Sequence, residues 1–450
     1  IADILKNFRP ISNLPYLSKV LEKAASKQLL HFKDTNKLRE KMQSAYRAFH
    51  STETALLRIH QDILLALDQK QCVYMVMLDL SAAFDTVNHQ KLLARLSTTY
   101  GIKGNAHNWI TSYLKDRKQF VTINGVRSEE QSKTCDVPQG SILGPNLYED
   151  YTAIPVGAIF RKHGVLFHIY ADDTQAYVPF DIGKAEESLH KLELCLREIR
   201  TWMAMNWLKL NDSKTEFITF GSKQNLANLN IKTVTLGDTS IEVTNSVKSI
   251  GATLDSTLKL DAQISATCKS AWYYLHQISR VRKFFTQEQA KTVVHSYVTS
   301  RLDQNNSLLV GLPKKSLARL QMVQNASERL IMGLKKTEHI TRTLIQLHWL
   351  PIEQRVIFKL LLLVFKSLNG QGPDYLRDLL EPYVPTRTLR SADSKKLLVP
   401  KCHYEDTRKR AFSIRGPIEW NELPLSVKLS DSVNSFKRAL KTHLFRLAYK

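Results

Sequence analysis

Cysteine is scarce. The 450 residues hold five, Cys72, Cys135, Cys195, Cys268 and Cys402, far apart, odd in number and without a CxxC pair. That leaves no basis for a disulfide framework or a zinc knuckle, and it suits a reducing compartment. Long apolar runs are missing too. The longest, Val356 to Phe365, is broken by Lys359 and falls short of the roughly 20 residues that span a bilayer. There is no signal peptide, internal repeat or low-complexity tract, and the chain opens at Ile1, so it reads as a portion of a longer frame. Acid is in deficit, 42 Asp and Glu against 64 Lys and Arg, for a net charge of +22. Such an excess of base favours polyanions, nucleic acid before an anionic membrane. The 43% hydrophobic content is enough for real cores.

Residues 7–15 read as a Pro-bounded loop carrying Arg9. Tyr16 to Thr35 has Leu17, Val20, Leu21, Ala24, Ala25, Leu29 and Phe32 at helical spacing. This predicts an amphipathic helix with Lys19, Lys23, Lys27 and Lys33 on a basic outer face. Ser51 is placed to cap a second helix, 52–68. Cys72 to Leu78 is nearly all apolar and ends in Asp79, the pattern of a buried central strand. Gln119 to Lys133 reads as a hairpin, and the loop from Val137 to Pro145 leads into a short helix. Lys184 to Asn206 is amphipathic, and short strands fill 231–254. From Asp261 the periodicity is helical, over 262–284, 287–303, 315–332 and 353–368.

The stretch Val165 to Val178 predicts two strands joined at Tyr170-Ala-Asp-Asp173. Two adjacent acids in a tight turn repel and lose hydration, which a divalent cation would offset; a solvated turn is the plainer alternative. Asp79 tips the balance. An Asp closing a buried strand must be hydrated, paired or metal-bound. Asp79, Asp172 and Asp173 together form a hard oxygen donor set suited to Mg²⁺. Two such ions about 3.5–4 Å apart can hold the attacking and leaving oxygens of a phosphoryl transfer.

Leu78-Asp-Leu-Ser-Ala-Ala-Phe-Asp85, Pro138-Gln-Gly-Ser-Ile-Leu-Gly-Pro145 and Tyr170-Ala-Asp-Asp-Thr174 resemble motifs A, B and C of a reverse transcriptase, in order. The likeness is to LINE-type (non-LTR) retrotransposons. It extends to Asn7-Phe-Arg-Pro-Ile-Ser12, Gln43 to Ala55, Leu210-Asn-Asp-Ser-Lys214 (similar to motif D), Val247 to Asp255, His348-Trp-Leu-Pro351 and Trp420-Asn-Glu-Leu-Pro424. The resemblance implies an α+β right-hand polymerase: fingers and antiparallel palm over 1–255, a helical thumb over 256–335 and a basic, mainly helical C-terminal region over 336–450. It implies an RNA template, a DNA primer or target DNA, dNTPs and two Mg²⁺ ions, with Mn²⁺ as a substitute. No membrane is implied. The expected location is intracellular, in a cytoplasmic ribonucleoprotein and the nucleus.

Residue by residue, the resemblance makes Asp79 and Asp172 the principal metal ligands, with Asp173 completing the triad. Phe84 would exclude a 2′-hydroxyl, and Gln139 and Gly140 would lie along nucleotide and template. Lys214 would meet the leaving pyrophosphate, and Arg47 and Arg9 the triphosphate or template backbone. Three departures stand out. Asn146 to Pro155, with Glu149 and Asp150, replaces an apolar helix. Ala45-Tyr46 and Ala48-Phe49 stand where Gly-Phe and Pro-Gly are usual. No endonuclease domain is present. The first departure motivates an alternative, a catalytically inactive nucleic-acid-binding relic. An RNA-templated RNA polymerase is disfavoured by bulky Phe84.

Overall fold

The computed structural model describes residues 11–81, 84–237, 239–335, 337–384 and 395–450. A six-stranded sheet forms the palm, in the spatial order Thr233–Leu236, Thr239–Thr244, Glu216–Phe220, Cys72–Leu78, Asp173–Phe180, Leu166–Tyr170. Neighbours pair antiparallel except Glu216–Phe220 with Thr239–Thr244, which run parallel. The central strand Cys72–Leu78 is buried along its whole length. Its side chains alternate between two cores, as the pleat requires. Val73, Met75 and Met77 enter one, while Tyr74, Val76 and Leu78 enter the other. Burying each such aliphatic side chain stabilises by about 1.5–3 kcal/mol, so the strand is strongly held from both faces.

The helix Thr52–Asp68 covers the first face. Ser51 caps it with a full capping box to Thr54, as expected. Its apolar residues Leu56, Leu57, Ile59 and Ile63 join the same core as Val73 and Met75. That core runs on without a break through Asp261–Val281, Lys314–Met332, Ile352–Leu368 and Val433–Ala448. The structure turns all-helical at Asp261, where the periodicity changes. The helix's buried polar groups receive the later segments. Asp68 accepts from the amides of His403 (2.9 Å) and Tyr404 (2.8 Å), and Gln61 exchanges two hydrogen bonds with Ser413.

The second face carries the chief corrections. The segment after Pro145 is one 19-residue helix, Gly144–Lys162, not a short one. Its acids do not disrupt the palm; they are neutralised across the interface with the fingers. Arg39 donates to both carboxylate oxygens of Glu149, at 3.0 and 2.6 Å, and Lys33 Nζ meets Asp150 Oδ1 at 2.7 Å. All four side chains are buried. Burial still pushes the Asp150 carboxyl up to about 6, against the pull of Lys33. Pro155 cannot donate the helical bond to the carbonyl of Tyr151. Arg95 Nη1 donates to that carbonyl instead, and the helix continues through the proline.

Lys33 therefore does not lie on an outer basic face. The helix Tyr16–Thr35 turns Glu22, Ser26 and Lys33 inward and leaves Leu17 and Leu21 outward, 74% and 63% exposed. The reason is the partner surface, which offers polar groups. Glu22 Oε2 accepts from the amides of Ile142 (2.6 Å) and Leu143 (3.2 Å), and Ser26 Oγ accepts from Asn146 Nδ2 (3.1 Å). No helix among the described residues is long and apolar enough to cross a membrane.

Candidate active site

The register of the central strand builds the site. Leu78 pairs with Thr174, so Asp79 and Asp173 emerge side by side at the same end of the sheet. Tyr170 pairs with Asp173, leaving Ala171 and Asp172 as the turn, with Ala171 in the left-handed region at φ 60°. The acidic turn is thus the tight hairpin that the alternation predicts. Beyond Asp79, Leu80 and Ser81 pair with Leu210 and Lys209. This draws the loop Asn211 to Lys214 against the acid. Asn211 N donates to the Asp79 carbonyl (2.9 Å) and its Nδ2 to Oδ2 (3.4 Å), while Lys214 Nζ lies 3.3 Å from Oδ2.

Asp79, Asp173 and Lys214 line one open cavity of about 160 Å³. Lys248, Ser249 and Ile250 close its far side from the hairpin Ser246–Ser249 and Ala252–Asp255. Lys248 falls within the Val247 to Asp255 stretch of the family likeness, but only its place in the folded hairpin brings it to the cavity. Asp172 does not line this cavity. Its charge is felt by the aromatic residues Tyr148 and Tyr46. Burial pushes the Tyr148 hydroxyl well above the ordinary tyrosine range, with the charge of Asp172 adding to the effect. The same two causes, in the same order, raise Tyr46.

The Phe84 ring stacks on Tyr148, centroids 4.9 Å apart at 21°, and its carbonyl accepts from Val137 N at 2.9 Å. Tyr148 lies on the helix Gly144–Lys162, so the helix that replaces the usual apolar sequence backs the expected sugar-selecting ring. Gln139 and Gly140 follow in the neighbouring loop. Ser12 N donates to the Gln139 carbonyl (2.8 Å). Gly140 has φ +103°, and a Cβ there would lie 3.2 Å from Ser12 O, so both backbone angle and space call for glycine.

Arg47 has a defined structural task. Its Nη1 donates to the carbonyls of Glu40 (2.6 Å) and Gln43 (2.9 Å), tying the finger connector into a loop. Phe49 holds a left-handed backbone (φ 65°) where the family pattern has glycine. The loop geometry survives the substitution at a cost of roughly 1–2 kcal/mol. Arg9 lies outside the described residues.

The donor chemistry fits a hard divalent cation. Among the described residues no three His, Cys, Asp or Glu side chains form a protein-only metal cage. Mg²⁺ needs none, because it is usually bound through one or two carboxylates plus water and substrate phosphates. Asp79 and Asp173, on one cavity with Lys214 and Lys248 beside it, supply that kind of half-site.

A nucleotidyl-transfer palm within a right-hand polymerase is the class this arrangement defines. Residues 2–254 match the family Reverse transcriptase (RNA-dependent DNA polymerase), and the chain belongs to it. The LINE-type likeness of the motifs is borne out by relatives. The chain is 27% identical over 333 residues to the probable RNA-directed DNA polymerase from transposon BS of Drosophila melanogaster, covering 72% of this chain and 36% of that protein. It is 30% identical over 265 residues to the RNA-directed DNA polymerase from mobile element jockey of Drosophila melanogaster, covering 58% and 28%. The chain thus spans about a third of the length of these curated relatives. Apo telomerase from Candida tropicalis aligns with a TM-score of 0.42 at 14% identity, over 74% of this chain and 54% of that one.

Proposed function

We propose that this chain extends a DNA 3′-hydroxyl on an RNA template, using dNTPs and two Mg²⁺ ions held by Asp79 and Asp173 at the cavity, with Asp172 adding its carboxylate from the adjoining turn. The observation that carries the proposal is the convergence of Asp79, Asp173 and Lys214 on one cavity at the open end of a fully buried sheet. When bound, the metal ions would polarise the phosphoryl oxygens and lower the pKa of the attacking hydroxyl. The protein's part is placement. The buried strand fixes the height of Asp79, and the register to Thr174 fixes Asp173 beside it. Lys214 is poised to give charge or a proton to a departing pyrophosphate, since its ammonium already faces the acid cluster. The net charge of +22 supports a polyanionic template and primer. The packing of the helix Gly144–Lys162 into the palm core supports the active reading over a catalytically inactive relic.

Primer extension on an RNA template with Mg²⁺ and dNTPs tests the proposal. Radiolabelled product lengthening with template is expected; salt-sensitive binding without any extension would refute it. The sugar selection assigned to Phe84 has its own test. Phe84→Ala should reduce the preference for dNTPs over rNTPs by about 10- to 100-fold, the usual scale for one pocket-filling group. An unchanged preference would remove Phe84 from that role.

A further inference from the structure

Next to the acidic turn, buried on the sheet face that Met77 and Gln175 share, stands a polar chain whose far end, Tyr375, lies outside every polymerase motif. His168 lies on the strand Leu166–Tyr170, two residues before Tyr170, and is fully buried. Its Nε2 is 2.8 Å from Ser44 Oγ, in the finger connector. Ser44 Oγ is 2.9 Å from the hydroxyl of Tyr375, which is 3.1 Å from Thr54 Oγ1. Thr54 Oγ1 is committed to donating to the Ser51 carbonyl at 2.9 Å. One assignment uses every hydrogen once: His168 donates to Ser44, Ser44 to Tyr375, Tyr375 to Thr54, and Thr54 to Ser51. Burial holds His168 neutral at any ordinary pH, with its pKa lowered to about 3. The Tyr375 ring also meets His168 edge-on at 5.1 Å and His50 at 5.6 Å.

Tyr375 comes from the short turn Asp374–Arg377, far beyond the 2–254 stretch that matches the family. It is 2% exposed, and Arg58 Nη1 fixes its carbonyl at 3.2 Å. The elements it joins are the ones that place the acids. Ile169 N donates to Met42 O (2.8 Å) and Ser44 N to Ile169 O (3.0 Å), so the finger connector forms an extra edge on the strand leading into the turn. Tyr375 clamps that edge through Ser44 and His168.

We propose that Tyr375 is a positioning residue for nucleotide addition. Through Ser44 and His168 the C-terminal region holds the acidic hairpin and the finger connector in register. The proposal rests on the polymerase reading above. A displacement of about 1 Å at a reacting group can cost on the order of 100-fold in rate, so a loosened hairpin would act on turnover rather than on substrate affinity.

The test compares Tyr375→Phe, Tyr375→Ala and Ser44→Ala in the full chain by two readouts. In amide hydrogen exchange, Tyr375→Ala should accelerate exchange at 42–46 and 166–175, leaving the helices Asp261–Val281 and Lys314–Met332 at the wild-type rate. In single-nucleotide extension, Tyr375→Ala should lower kcat by about 10- to 100-fold with KM for dNTP within about twofold. Tyr375→Phe should fall between it and wild type. Adding Ser44→Ala to Tyr375→Phe should cost less than the sum of the two single effects, because both remove the Ser44–Tyr375 bond, the added loss being that of the acceptor of His168. Exchange that rises only near 374–384, or throughout the chain, overturns the proposal. So does wild-type kcat in an active Tyr375→Ala protein, a result that leaves the polymerase reading standing. If the wild-type protein extends no primer, the polymerase reading fails and the exchange pattern alone decides the positioning.

Discussion

Replacing Asp79 by Asn is expected to lower single-nucleotide extension by about 1,000-fold or more while leaving primer–template affinity within about threefold. The estimate follows from the loss of several kcal/mol of transition-state stabilisation supplied through a metal, at 1.36 kcal/mol for each factor of ten. Asparagine matches Asp79 in size, so the strand and its register to Thr174 are preserved. The Asp79 backbone keeps its bond from Asn211, because that bond involves only the carbonyl. What disappears is the negative charge at the cavity wall. An amide oxygen holds a hard cation poorly, and the ammonium of Lys214 loses its counter-charge. Lys214→Met should cost less, about 100-fold, the ordinary scale for a proton donor. Pre-steady-state extension together with equilibrium binding at two salt concentrations checks both. Asp79→Asn activity within tenfold of wild type would mean that the strand end does not carry the metal.

The second large effect is on stability. Lys33→Met should destabilise the protein by about 3–5 kcal/mol, because it leaves Asp150 as an uncompensated buried charge. The double variant Lys33→Met with Asp150→Leu should recover most of that loss, since an apolar pair of similar volume suits a buried site. The pH dependence has a definite sign. The folded carboxyl of Asp150 already sits at about 6, above its unfolded range near 3.9. Its protonated form is therefore favoured by folding, and its contribution to stability falls as pH rises from about 4 to 6. Removing Lys33 raises the folded value further and extends the fall to higher pH. The gap between Lys33→Met and wild type should be wider at pH 8 than at pH 5. Urea unfolding at both values measures it. A gap that is equal at the two pH values, or a double variant as weak as the single one, would show that the pair does not bear this load.

These two predictions differ in how visible their residues are in the sequence. Asp79 is legible because an acid at the end of a continuous apolar run breaks the pattern of its own strand. The acidic turn is legible for the same local reason, and so is the Ser51 cap. Lys33 is not legible. Its helix carries an apolar stripe through Leu17 and Leu21 that points inward by every periodicity rule, yet the surface it meets offers the backbone amides of Ile142 and Leu143 and the carboxyl of Asp150. Helical period reports which residues share a face; it does not report what that face will find. Glu149 and Asp150 look like faults in the palm helix until Arg39 and Lys33 are brought to them from more than a hundred positions away. Arg95 and Pro155 are another such pair, since nothing local to the proline says that an arginine will take up its orphaned carbonyl. Tyr375 carries no motif at all.

The alternation of the central strand between two cores bears on how this chain can be divided. Cutting at residue 254, where the family match ends, would keep Asp79, Asp172 and Asp173 and the stretches resembling motifs A to D. It would also strip Asp261–Val281, Lys314–Met332 and Ile352–Leu368 from the core that Val73, Met75 and Met77 share. The resulting fragment would be an alignment unit with a greasy underside, prone to stick to its own copies before any nucleotide reached it. The smallest autonomous folding unit is therefore longer than the smallest recognisable one, and inactivity of a shortened protein would report exposed palm rather than defective chemistry.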